Sequence, residues 1–204
     1  MQNRIPKGIR AVTLIMMLLS SSAVNADPFS AIFGYDGVQQ SDMSVFPQWL
    51  HVLKNQELDG ENYTNLQTFL NSQQHKSRRE QLDAVNSFVN RQDYVIDIEN
   101  YGADDYWALP AEFLTNGGGD CEDFAILKFF TLRLLGWPAE KLRLLVVQDT
   151  KMRQSHAVLA VATDKDVLIL DNQVPVIISP EAVPHYAPVY SLSDQQWWLH
   201  LPNS

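Results

Sequence analysis

The sequence is poor in cysteine, in positive charge and in long apolar runs. Its one thiol, Cys121 among 204 residues, has no partner for a disulfide within the chain. Cys121 is therefore a buried inert residue, one half of a bond to another chain, or a reactive thiol. Fifteen Lys and Arg face 24 Asp and Glu, a formal charge of −9, and so strong an acidic balance argues against nucleic acid as a partner. No internal repeat or low-complexity tract marks the chain as an array or a disordered segment. The most apolar stretch, Ala11 to Leu19, falls well short of the roughly 20 residues that a membrane-spanning helix needs.

That short run instead fits a leader. Arg4, Lys7 and Arg10 precede or flank it, and the small-residue end Val24-Asn25-Ala26 suits cleavage before Asp27, so residues 1–26 read as a secretory signal peptide. Export across the inner membrane to the periplasm follows, with no stable membrane insertion once the leader is cut. The mature chain, 27–204, is the size of one ordinary domain. Losing three of the fifteen basic residues and no acidic one leaves it 12 against 24, a formal charge of −12.

Along the mature chain, residues 31–46 carry no clear period and read as an irregular lead-in. Trp49, Leu50, Val52 and Leu53 predict a first helix from Phe46 to Leu58, ended by the Asp59-Gly60 turn signal. A second helix is expected roughly from Asn62 to Asn71. From Ser77 to Asn90, Leu82, Val85, Phe88 and Val89 recur at helical spacing behind the capping-box pair Ser77 and Glu80. The polar and aromatic stretch from Tyr94, with the acid pair Asp104-Asp105, leads through Trp107 and Pro110 to the loop Asn116-Gly117-Gly118-Gly119. Consecutive glycines let a backbone pass close to its neighbours.

Cys121 to Leu135 is apolar on nearly every side, the pattern of a core helix, with Gly136 and Pro138 as its stop. Strands are expected at Leu142–Gln148, Ala157–Ala162, Val167–Leu170 and Val174–Ile178. Helices first and an antiparallel sheet after make the class α+β.

Three residues form a candidate catalytic set. Cys121 stands at the start of the core helix, where unpaired N–H groups and the positive dipole end favour a thiolate and can cradle an oxyanion. His156 opens one strand and Asp171 ends the next. If Thr163 lies opposite Asp166 in the connecting hairpin, the two side chains are diagonal neighbours on one face. A carboxylate can then hold the imidazole while the imidazole serves the thiol. Each residue alone has a plainer account: a small core hydrophobe, a strand-end polar group, turn chemistry. His51, His75, His185 and His200 have no comparable setting.

The acids around the thiol pose a physical problem, since Asp120, Glu122 and Asp123 raise the pKa of a neighbouring thiolate. Either they cap the helix, with Asp120 at the N-cap, or they hold a hard cation through oxygen ligands, Ca²⁺ being the natural one outside the cytoplasm. Both can hold at once.

The segments Asp104-Asp105-Tyr106-Trp107-Ala108-Leu109-Pro110-Ala111-Glu112-Phe113-Leu114, Gly118-Gly119-Asp120-Cys121-Glu122-Asp123-Phe124-Ala125, Ser155-His156-Ala157-Val158-Leu159 and Leu170-Asp171-Asn172 together resemble the bacterial transglutaminase-like cysteine proteinases, of the LapG type. The likeness runs from about Trp49 to Trp198. It implies a papain/transglutaminase-like fold, with Cys121 as nucleophile, His156 as base and later acid, Asp171 as its orienter, and Asp120 and Glu122 as Ca²⁺ ligands. It also implies a substrate, the N-terminal region of a large repeat adhesin cut after a pair of alanines, so that the adhesin leaves the surface and the biofilm disperses. An inner-membrane cyclic di-GMP receptor is the implied inhibitor, sequestering the protease through its periplasmic domain. The rival readings are a transglutaminase-fold amide transferase or peptidoglycan amidase, and a non-catalytic binding module with Cys121 buried.

Overall fold

The structure is a computed structural model that describes residues 27–56 and 60–203, with the side chains of 60–62 left aside. The expected leader, residues 1–26, the expected helix end at Leu58 and Asp59 of the expected Asp59-Gly60 turn lie outside the described residues. Among these, no helix is long and apolar enough to cross a membrane.

Chain order is β1 (Tyr35–Gln40), α1 (Pro47–Lys54), α2 (Gly60–Gln73), α3 (Arg78–Val89), β2 (Asp93–Tyr94), α4 (Asp97–Asn100), α5 (Pro110–Asn116), β3 (Gly118–Gly119) and α6 (Cys121–Leu134). Then follow β4 (Leu142–Asp149), β5 (Gln154–Ala162), β6 (Val167–Leu170), β7 (Tyr186–Leu192) and β8 (Trp197–Pro202). Six strands form one sheet in the order β1-β8-β7-β4-β5-β6, every neighbouring pair antiparallel. The α+β reading holds.

Local chemistry sets the helices. Ser77 accepts from the Glu80 N–H and Glu80 accepts from the Ser77 N–H at 2.9 Å, so the expected capping box starts α3. Gly136, at φ +80°, lets the chain turn out of α6, and the Trp137 N–H closes back on the Leu132 carbonyl at 3.0 Å. Apolar on all sides, α6 is buried along most of its length and packs against β5 and α3. Trp49 on α1 is fully buried, stacks edge-on against Phe129, and ties its indole N–H to the Ser193 carbonyl at 2.6 Å, which pins the helical layer to the β7–β8 turn.

The central strands are buried on both faces. Ala157, Leu159 and Val161 of β5 join the helix-side core with α6, whereas Val158, Ala160 and Ala162 face a second cluster. That outer cluster is covered by Phe29, Ile32 and Val183 rather than by an α-helix, with Tyr186 and Ile169 beneath. Arg143 clamps the same edge, its guanidinium between the rings of Phe29 and Trp198 and paired with Asp27 at 2.6 Å.

Several expectations are corrected. The first helix ends at Lys54, where the Asn55 side chain bonds the His51 carbonyl at 2.7 Å. The second is longer than expected, Gly60–Gln73. Between Trp107 and the glycine loop lies a helix, α5, with Pro110 in its first turn and Glu112 reaching back to the Leu109 N–H at 2.8 Å. Residues 174–178 make no strand beyond a single bridge from Ile178 to Ile169. The irregular lead-in contains β1, and the tail supplies β7 and β8.

Candidate active site

Cys121 is the first residue of α6, delivered there by β3. The two glycines of β3 pair in parallel with Asp93 and Tyr94, and neither has room for a side chain. A Cβ on Gly118 meets the Asp93 carbonyl, and one on Gly119 meets the Asp123 carboxylate. The Cys121 sulfur is half-buried and receives the backbone N–H of Ala157, the residue after His156, so α6 and β5 meet at the thiol. Its S–H donates to Glu122 Oε2 at 3.2 Å. Burial, then the charges of Glu122 and Asp120, push the thiol well above its ordinary value.

The hairpin is as expected: Thr163 N–H bonds the Asp166 carbonyl at 2.8 Å and Leu159 pairs with Leu170. His156 and Asp171 are both buried, and His156 Nε2 lies 2.9 Å from Asp171 Oδ1. The Gln173 N–H donates to the same oxygen at 2.9 Å, and the Tyr186 hydroxyl donates to Oδ2 at 2.8 Å. Burial alone raises a carboxyl. Here the His156 hydrogen bond and charge, with the donors Gln173 and Tyr186, outweigh it and hold Asp171 below its ordinary value. Tyr186 also packs edge-on to the imidazole, 5.7 Å between centroids.

Cys121 and His156 line one cavity of about 420 Å³. Aromatic rings of Phe46, Trp49, Tyr94, Trp107 and Tyr190 form part of its wall, and Asp97, Asp104, Asp105, Asp120 and Glu122 form another part. A larger hollow of about 720 Å³ lies beside Asp27, Arg143 and Trp198, but neither cysteine nor histidine lines it. The candidate nucleophile and base line the smaller one.

The acids converge more than their spacing in sequence suggests. Carboxylate oxygens of Asp97, Asp105 and Glu122 come within 4.8 Å of one another, as do those of Asp97, Asp120 and Asp123. Burial, then the neighbouring Glu122, Asp97 and Asp105, push Asp120 up to about 9. Asp123 rises to about 8, and Glu122 and Asp97 rise too, burial being the first cause in each.

Asp120 holds the N-cap position but makes no capping hydrogen bond with its side chain, and its Oδ1 is buried without a partner. Asp123 does the closing, accepting from the Asp120 and Ala108 N–H groups at 3.3 and 2.7 Å. Asp97 Oδ1 is a second buried oxygen without a partner. An all-oxygen donor set with orphaned carboxylate atoms and mutually raised pKa values fits a hard divalent cation. Asp120 and Glu122, expected from sequence, are joined there by Asp97 and Asp105. The Asp104-Asp105 pair was visible as an acid pair, but nothing around Asp97 or Tyr186 marked either residue.

Residues 48–204 match the model of the family described as bacterial transglutaminase-like cysteine proteinase. Among solved structures, Legionella pneumophila LapG is 36% identical over 74% of this chain and 87% of its own, with a TM-score of 0.62. Its EGTA-treated form gives 36% over 74% and 84%, and its calcium-bound form gives 35% over 75% and 86%, both again with a TM-score of 0.62. No curated protein matches. The mixed architecture, the cavity at the head of α6 and these likenesses agree, and the chain belongs to the bacterial transglutaminase-like cysteine proteinases.

Proposed function

We propose that the protein is a periplasmic, calcium-dependent cysteine endopeptidase that cleaves the N-terminal region of a large repeat adhesin after a di-alanine site. Release of the adhesin then promotes biofilm dispersal. The observation that carries the reading is His156, bonded to the buried Asp171 at 2.9 Å and lining one cavity with Cys121 at the head of a helix, within a cysteine proteinase family.

Cys121 is the nucleophile and His156 takes its proton, then returns it to the leaving amine. Asp171 stays ionised among three donors and holds the ring in one orientation. The thiol needs that help, because burial and the acids beside it keep it protonated. Asp97, Asp105, Asp120 and Glu122 would hold Ca²⁺, in line with the calcium-bound form of the related LapG. When bound, the ion supplies positive charge that offsets the carboxylates beside the thiol. Export of the chain through residues 1–26 and inhibition by an inner-membrane cyclic di-GMP receptor belong to the same proposal.

The deciding experiment incubates the mature protein with N-terminal fragments of exported repeat adhesins, with Ca²⁺ or chelator. Calcium-dependent cutting next to paired alanines is expected. Linkage of an amine to glutamine side chains, with all fragments left intact, overturns the endopeptidase reading.

A further inference from the structure

Tyr190 stands in the candidate cavity without an assigned task. It lies on β7, opposite Val146 of β4 and Leu199 of β8, and lines the same hollow as Cys121 and His156. Its ring packs on Phe46 at 4.9 Å, and Phe46 in turn meets Trp197 edge-on at 5.3 Å. The indole N–H of Trp197 is fixed to the Asp42 carbonyl at 3.0 Å. Aromatic packing of this kind fixes where the hydroxyl stands.

Tyr190 is half-buried, and a phenol on a cavity wall has a hydroxyl that a bound group can engage. The Tyr190 hydroxyl makes no hydrogen bond among the described residues, whereas Trp49 is engaged with Ser193, Trp107 with Asp105 and Tyr186 with Asp171. Burial, then the charges of Asp105, Glu122 and Cys121, push the phenol up to about 12, so it is a donor at neutral pH.

We propose that the Tyr190 hydroxyl donates to the oxyanion formed when the Cys121 sulfur adds to a peptide carbonyl, acting beside the Cys121 backbone N–H at the start of α6. The inference rests on the endopeptidase reading. In the step, the S–C bond forms and the carbonyl π pair moves onto oxygen, which the two donors receive. Collapse restores the C=O bond and breaks the C–N bond, with the His156 proton leaving on the amine. Water then cleaves the resulting thioester. A neutral donor suits this wall, because a lysine or arginine here would pair with Asp105 or Glu122 and compete with a cation for them.

The test compares Tyr190→Phe with the unmodified mature protein, both with Ca²⁺, on a fragment that the unmodified protein cleaves. The expected result is a fall in kcat of about 100-fold, the scale of one lost oxyanion donor, with KM within about twofold. Binding of a peptide aldehyde, which forms a tetrahedral adduct on the thiol, weakens in parallel. Alkylation of Cys121 by iodoacetamide, which develops no oxyanion, keeps its rate. Unchanged kcat overturns the inference, as does an equal loss of alkylation, which would make Tyr190 part of the thiol's support. If the unmodified protein cleaves nothing, the endopeptidase reading itself fails and the inference falls with it.

Discussion

Asp171 is fully buried yet holds its charge because each oxygen has a donor: His156 and the Gln173 N–H on one, Tyr186 on the other. Removing the Tyr186 hydroxyl leaves that second oxygen buried and unpaired. A hydrogen bond to a charged group contributes about 2 kcal/mol, so Tyr186→Phe is expected to lower stability by about that much in denaturant titration. Cleavage should slow by roughly tenfold as Asp171 loses its hold on the imidazole. The pH profile should shift as well, which simple loss of packing does not cause. Cys121→Ala removes one sulfur at the edge of the core and is expected to abolish cleavage while leaving circular dichroism and the thermal midpoint near those of the parent. Retained cleavage would remove Cys121 from the mechanism.

Among the elements, α3 offers a control remote from the cavity. Ser77→Ala breaks one arm of an exposed capping box and should cost about 1 kcal/mol, with cleavage unchanged. The legibility of the elements in sequence follows from where their forming forces lie. Both α3 and α6 are set by their own residues, a capping pair and an apolar circumference, and both were readable. The hairpin register was readable because Thr163 and Asp166 fix it locally, and with it the approach of His156 to Asp171.

By contrast, α5 was hidden because Pro110 reads as a break when it is the favoured first residue of a helix. The strands β1, β7 and β8 draw their pairing from residues more than a hundred positions away or from mixed, half-buried patterns. Sequence periodicity does not carry such information. Asp97 belongs with them, since it joins Asp120 and Asp105 only after the loop between α4 and α5 folds back, fixed by the Tyr106 N–H on Asp97 Oδ2 at 2.6 Å.

For the whole molecule, Ca²⁺ held by the clustered acids, as proposed, would act on stability as well as on activity. Any ion that binds the folded chain alone raises its stability by mass action. Chelation is therefore expected to lower the thermal midpoint and the cleavage rate together, and Ca²⁺ to restore both. Asp120→Asn should blunt that response; full activity in excess chelator would reduce the acids to helix-end chemistry.

A separate pH dependence comes from the far edge of the sheet. Burial, then the charge of Arg143, lowers His200 from 6.5 to about 4. The folded state thus binds its proton less readily than the unfolded one, so stability should be lost as pH falls from about 6.5 to about 4. His200→Gln is expected to flatten that part of the curve in urea unfolding.

The covering of the outer sheet face has a consequence for biogenesis. Asp27, the residue expected to follow the leader cut, is already engaged with Arg143 and with the Phe29 N–H. Phe29 and Ile32 seal the face, and Phe33 leans on Tyr186 at 6.2 Å, the tyrosine that holds Asp171. The first stretch of the mature chain is thus mechanically continuous with the candidate catalytic carboxylate. If the chain is cut at Ala26–Asp27 as proposed, a peptidase would need that bond accessible, and cleavage would come before Asp27 docks on Arg143. On that proposal, the candidate catalytic carboxylate would gain its full support only once the segment from Asp27 to Phe33 has settled on the sheet.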